Sequence, residues 1–173
     1  ILNAGRTEYF GNLYKFSYDD FKVELLECDS MRLRVFNRSK NGPPQLRLGS
    51  IIEGVRGEVL IDDANNKSGI DTTITDYPKI NCTKKTFVFY DKKKIQRGAY
   101  NRDNFKFVLE PFSMDSLDNF SRIGVEFDGE FLSAGIFPKF DEKLKIQKDN
   151  SLGFVRSTPK GGYGIYGDKA NYD

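Results

Sequence analysis

From Tyr14 onward, apolar and polar residues alternate with a period of two. Phe21, Val23 and Leu25 are separated by Lys22 and Glu24, and Leu33 and Val35 by Arg34. Successive side chains of a strand point to opposite faces, so this alternation predicts half-buried strands. A turn at Asp29-Ser30 is expected to separate the two runs. The Asn41-Gly42-Pro43-Pro44 stretch breaks the next segment, since neither proline can donate to a strand ladder. A strand pair is expected over Ser50–Asp62 around Gly54 and Gly57. A loop at residues 65–69 and a β-branched run, Thr72-Thr73-Ile74-Thr75, follow.

Thr86-Phe87-Val88-Phe89-Tyr90 is β-branched and aromatic, the strongest strand signal in the chain. Phe87 and Phe89 are expected to face the core. Lys92-Lys93-Lys94 ends this strand, and Phe105–Leu109 forms the next, stopped by Pro111. The period then changes. Met114, Leu117, Phe120 and Ile123 fall at steps of three, with Ser113 or Asp115 as a cap and Gly124 as a stop, which predicts one short helix. Val125–Leu132 reads as a hairpin turning at Asp128-Gly129, and Lys143–Ile146 as a last short strand.

The organisation that follows is a polar N-terminal arm (1–13), a β-rich domain (14–147) and a glycine- and tyrosine-rich C-terminal tail (148–173). In the tail, Gly153, Gly161, Gly162, Gly164 and Gly167 raise the ordering cost while few residues bury area, so the tail is expected to order only on a partner. The expected class is mainly β, with α+β as the alternative: an antiparallel sheet or sandwich with one short helix and extended terminal arms.

Composition changes this picture chiefly by exclusion. The 173 residues include 15 Phe and 9 Tyr but no histidine and no tryptophan. Without histidine, the Ser-His-Asp and Cys-His nucleophilic systems and nearly all zinc, copper and non-haem iron sites fall away. No enzyme activity, metal or cofactor is expected. Lys and Arg (27) nearly balance Asp and Glu (25), leaving +2, so nucleic acid is disfavoured as a partner. No run of 18 apolar residues occurs, which predicts no membrane-spanning helix. The start at Ile1-Leu2-Asn3 reads as processed or truncated. Cys28 and Cys82 read as buried free thiols in strands, a disulfide requiring that they come close in space. Sequons at Asn37, Asn66, Asn81 and Asn119 leave a secreted glycoprotein open.

Three local patterns resemble chemical sites. Asp62–Gly69 is rich in oxygen ligands but lacks calcium-loop spacing and the twelfth-position Glu, so it reads as a solvated turn. Gly161-Gly162-Tyr163-Gly164 has neither the preceding strand nor the following helix of a phosphate loop. Asp62/Asp63 and Asp141/Glu142 read as surface charge. The remaining pattern is basic: Lys84-Lys85, Lys92, Lys93, Lys94, Arg97 and Arg102 surround the aromatic strands. Basic residues interleaved with aromatics on a sheet can hold single-stranded nucleic acid. The reading adopted is an aromatic core with basic loops that meet an acidic protein. The candidate partner-binding residues are Tyr90 and Phe105 at strand ends, Lys92, Lys93, Lys94, Arg97 and Arg102 in the loop, and Tyr163 and Tyr166 in the tail.

Residues 86–137 present a strand (Thr86–Tyr90), a basic loop (Lys92–Arg102) and a strand ending in a Pro-aromatic pair (Phe107–Leu109, then Glu110-Pro111-Phe112). A helical stretch with Arg122-Ile123 near its end and a final strand (Asp128–Leu132) follow. In this order they resemble the small linker domain that caps rods and cores in phycobilisomes. Asp128 stands where that family carries a glycine. The resemblance implies a non-catalytic linker or scaffold of a light-harvesting assembly, located in the plastid at the thylakoid, whose partners are other subunits such as phycobiliproteins. The alternatives are a secreted or virion β-sandwich that binds a ligand or receptor, and a small nucleic-acid-binding β module.

Overall fold

The computed structural model describes residues 1–37, 42–93, 95–158, 161–166 and 169–172, with side chains described up to Arg156 except at Gln96. Its elements are strands: β1 (Leu2–Ala4), β2 (Thr7–Ser17), β3 (Lys22–Phe36), β4 (Gln45–Arg47), β5 (Ile52–Glu53), β6 (Gly57–Leu60), β7 (Lys79–Cys82) and β8 (Thr86–Phe89). There follow β9 (Phe105–Leu109), β10 (Phe112–Met114), β11 (Glu126–Ser133), β12 (Phe140–Ile146), β13 (Leu152–Thr158), β14 (Gly161–Tyr166) and β15 (Lys169–Tyr172). All pair antiparallel in one curled sheet.

The topology is a meander of long, interrupted strands. β2 runs along one edge of β3 from Thr7↔Leu33 to Ser17↔Lys22. Along the other edge β4, β5 and β6 return one after another, in registers Val35↔Leu46, Met31↔Ile52 and Val23↔Val59. β7 pairs with β6, and β8 with β5. β9 and β10 then return along β8 and β7. Each path is broken at the same level: bulges around Gly11, the exposed Leu26-Glu27 within β3, residues 54–56, residues 83–85, and Glu110-Pro111.

The breaks adjoin one another. Gly54 N–H donates to Asp29 O at 2.8 Å, Thr83 N–H to Arg56 O at 2.9 Å, and Lys85 Nζ to Glu110 Oε1 at 2.6 Å. A crease therefore crosses the sheet, bending each strand where a bulge or proline interrupts the ladder. Two glycines permit the close approach: a Cβ on Gly11 would collide with the Glu27 carbonyl, and one on Gly57 with the Asn81 carbonyl. Bent over the crease, the inward faces share one core that includes Tyr9, Leu25, Met31, Leu33, Ile52, Val88, Phe107 and Leu144. Burying each such side chain contributes roughly 1.5–3 kcal/mol. The sheet then extends from β9 through β11, β12, β13 and β14 to β15.

The structure corrects several sequence expectations. Residues 1–13 are not an arm: β1 and β2 lie in the sheet, and Arg6, Thr7, Glu8 and Tyr9 are buried. The chain does not turn at Asp29-Ser30: β3 continues through it, with Asp29 and Leu26 as its extra, bulged residues against β2 and Asn12 as the extra residue of β2. Residues 72–75 form no strand, and β12 is longer than Lys143–Ile146. The expected helix over 114–123 is a series of turns. Ser116 has a positive φ of 47°. The Ser116 and Leu117 amides donate to Asp76 O and Pro78 O instead of to a preceding helical turn. Among the described residues the one helical element is a 3-10 turn, Gln96–Gly98.

Asp128-Gly129 does not turn either. It lies inside β11, where Gly129 lets the backbone of β9 approach closely. The hairpin turn comes at Ala134-Gly135, with φ of 56° and 80°, the two positive values a type I′ turn requires. Residues 148–173, expected as a disordered tail, contribute β13, β14 and β15, and Leu152 and Phe154 enter the core. Every second residue of β13 can anchor the segment, which offsets the glycine cost that composition alone suggests.

Candidate partner-binding face

The parity of β8 and β9 decides which aromatics meet solvent. Thr86, Val88 and Tyr90 point inward, as do Phe105, Phe107 and Leu109. Phe87, Phe89, Lys106 and Val108 therefore point outward, and all four are half-buried. Cross-strand pairing arranges them in two rows. Glu53, Phe87, Val108 and Glu130 lie opposite one another across β5, β8, β9 and β11, and Phe89, Lys106 and Leu132 form the adjacent row.

These outward side chains interact closely. The Phe87 and Phe89 rings stack with centroids 5.9 Å apart. Lys106 lies over both rings, its Nζ 5.3 Å from the Phe87 centroid and 5.8 Å from that of Phe89. The Arg102 guanidinium covers Phe89 at 3.9 Å, and donates at 2.9 Å to both Asp91 Oδ2 and Glu53 Oε1. Among the described residues Lys106 has no carboxylate partner. The result is an apolar strip (Phe87, Phe89, Val108, Leu132) outside the core, crossed by two cations.

The sequence-derived candidates distribute unevenly around this strip. Arg102 lies on it. Lys93 and Arg97 are exposed in the adjoining loop, Arg97 with a positive φ of 58°. Lys92 is exposed and donates to Gly49 O at 2.6 Å. Lys94 lies outside the described residues. Tyr90 and Phe105 are not contact residues: each is 2% exposed. The Tyr90 ring packs edge-on against Phe105 and Phe131, while Phe105 stacks on Tyr100 with centroids 3.7 Å apart. Burial holds the Tyr90 hydroxyl far above its ordinary pKa, and the hydroxyl has no hydrogen-bond partner among the described residues. Tyr163 and Tyr166 stand in β14, opposite Tyr172 and Lys169; their side chains lie outside the described residues.

Phe87, Phe89, Lys106, Val108 and Leu132 were missed because both parities of an aromatic strand look equally apolar. The available signal was Lys106, flanked by Phe105 and Phe107: a lysine in mid-strand marks the outward parity. The other site-like patterns settle into structural roles. In the 62–71 loop the buried Asn66 amide donates to Asp62 Oδ2 and Asp71 O at 3.1 Å, and its oxygen accepts from the Asp71 N–H. That ties the loop and occludes the sequon at Asn66, whereas Asn119 is exposed in a turn. Cys28 and Cys82 are buried free thiols. Among the described residues no group of three or more Cys, Asp or Glu is placed to hold a metal ion, and no helix is long and apolar enough to cross a membrane. The chain matches no known protein-family model, no curated protein and no solved structure.

Proposed function

We propose that this chain is a non-catalytic structural module that holds a larger assembly together, docking a protein partner on the outer face of β5, β8 and β9. One observation carries the reading: an apolar strip of Phe87, Phe89, Val108 and Leu132 on the solvent side of the sheet. Outward positions of a one-sided antiparallel sheet are ordinarily polar, and aromatic side chains with cations at their margin are what protein interfaces concentrate. Lys106 and the exposed Lys93 and Arg97 favour a partner that presents carboxylates around an apolar centre, with charge contributing on-rate more than affinity. Glu53 and Asp91 beside Arg102 work against a polyphosphate backbone and so against single-stranded nucleic acid. The linker resemblance spans the strands that build this strip, and phycobiliproteins are the partners it implies; the helix of that pattern has no counterpart among the described elements.

The test is a Phe87→Ala/Phe89→Ala variant isolated beside the wild type from the native source. Half-buried rings on an outer face should cost about 1 kcal/mol each, against roughly 3–5 for core phenylalanines. The variant should therefore melt near the wild type yet lose the subunits that co-purify with it. Retention of those subunits, or collapse of the fold, would refute the assignment.

A further inference from the structure

A second surface, built by different elements, combines apolar walls with cations that form no ion pair among the described residues. A cleft of about 530 Å³ opens between the ends of β3 and β4 and the segments at 122–123 and 146–150. Its apolar lining is Phe36, Leu46, Ile123 and Ile146, and two of these are unusually open: Phe36 is 52% and Ile123 82% exposed. Arg122 stands in the wall, held by hydrogen bonds to Asn150 Oδ1 at 2.5 Å and Gln147 O at 2.6 Å. Both acceptors are neutral, so the guanidinium is positioned without being neutralised. Lys148 is exposed beside it.

A third cation lies behind the apolar wall. The Arg6 guanidinium is buried between the Phe36 ring at 4.2 Å and the Phe120 ring at 3.9 Å, and donates to the backbone carbonyls of Asp118 and Phe120. Burial lowers its proton affinity, opposed by the nearby Asp118 charge. Among the described residues, those that line the cleft include no carboxylate. Positive charge at one wall and open apolar surface at the other match a single ligand chemistry.

We propose that this cleft binds a small organic acid with an apolar body, its carboxylate paired with Arg122 and Lys148 and its hydrocarbon covering Phe36, Leu46, Ile123 and Ile146. The volume falls within the ~300–1,000 Å³ usual for small-molecule sites. A bidentate guanidinium–carboxylate pair fixes orientation, and the apolar contact contributes most of the free energy. A bare inorganic anion would leave the apolar wall open to water.

The experiment is calorimetric titration of the full chain with decanoate below its micelle concentration, alongside acetate and 1-decanol. Decanoate should bind with unit stoichiometry and at least about tenfold more tightly than either control, a difference of about 1.4 kcal/mol. Ile123→Asp, at a position exposed enough to leave melting unchanged, should reduce decanoate affinity by at least about tenfold, and Lys148→Gln by a smaller factor. Equal affinity for decanoate and 1-decanol would show adsorption without charge recognition and overturn the proposal. Undiminished decanoate binding by Ile123→Asp would place the acid elsewhere and overturn it as well.

Discussion

Replacing Tyr90 with Phe removes a single oxygen from the centre of the aromatic core. The ring packs edge-on against Phe105 and Phe131, and its hydroxyl finds no hydrogen-bond partner among the described residues. Phe keeps the ring contacts and creates no cavity. It also removes a desolvated polar group, whose burial unpaired costs about 1–3 kcal/mol. The expected outcome is a gain of about 1–2 kcal/mol, which for a chain of this size raises Tm by roughly 2–4 °C per kcal/mol. Urea titration should show a higher midpoint with an unchanged slope, the signature of altered stability without altered compactness. Thermal melting should agree. A loss of stability in Tyr90→Phe would mean that the hydroxyl has a partner after all, such as a buried water, and the account of this core would be wrong. Partner association should be untouched, since Tyr90 does not reach the outer face.

Three further outcomes are expected. Gly129→Ala should destabilise by several kcal/mol in chemical denaturation, because its Cβ would strike the Val108 carbonyl and force β11 away from β9. Arg6→Met should cost about 3 kcal/mol by the same assay, since it leaves the Asp118 and Phe120 carbonyls without their charged donor. Burial pushes the Cys28 thiol up to about 11 from an ordinary value of 9.0. The unfolded chain therefore ionises first: the stability is full below pH 9 and falls progressively toward pH 11. Cys28→Ala should flatten that part of the stability–pH curve, and an unchanged slope would refute the assignment.

The sequence carried the class of this fold more clearly than its connectivity. Alternation in Phe21–Leu25 and Leu33–Val35 marked strands correctly because it records one buried face, whatever the pairing. It could not show that Asp29-Ser30 sits inside one continuous strand, since the bulge that takes up Asp29 is defined only by the pairing of β3 with β2. The three-residue spacing of Met114, Leu117, Phe120 and Ile123 imitated a helix. Leu117 and Phe120 are buried by contacts with segments far along the chain: the Arg6 N–H donates to Leu117 O at 2.6 Å across more than a hundred residues. The outer strip was half legible. Arg102, expected in the basic loop, lies on it, but Tyr90 and Phe105 were placed outside and Phe87 and Phe89 inside. Parity in an aromatic run is set by its neighbours' register, which no local pattern encodes.

The crease gives the proposed docking face its stiffness. A hinge works when a few backbone torsions can move without disturbing anything else. Here the bend passes through five adjacent chain segments at one level, joined by the bonds from Gly54 to Asp29, Thr83 to Arg56 and Lys85 to Glu110. Flexing it would have to distort all five together and prise open the core beneath. β5, β8 and β9 rest against that seam, so the strip of Phe87 and Phe89 behaves as a rigid anvil: a partner that settles on it has little backbone motion to quench, and more of its contact energy is retained as affinity.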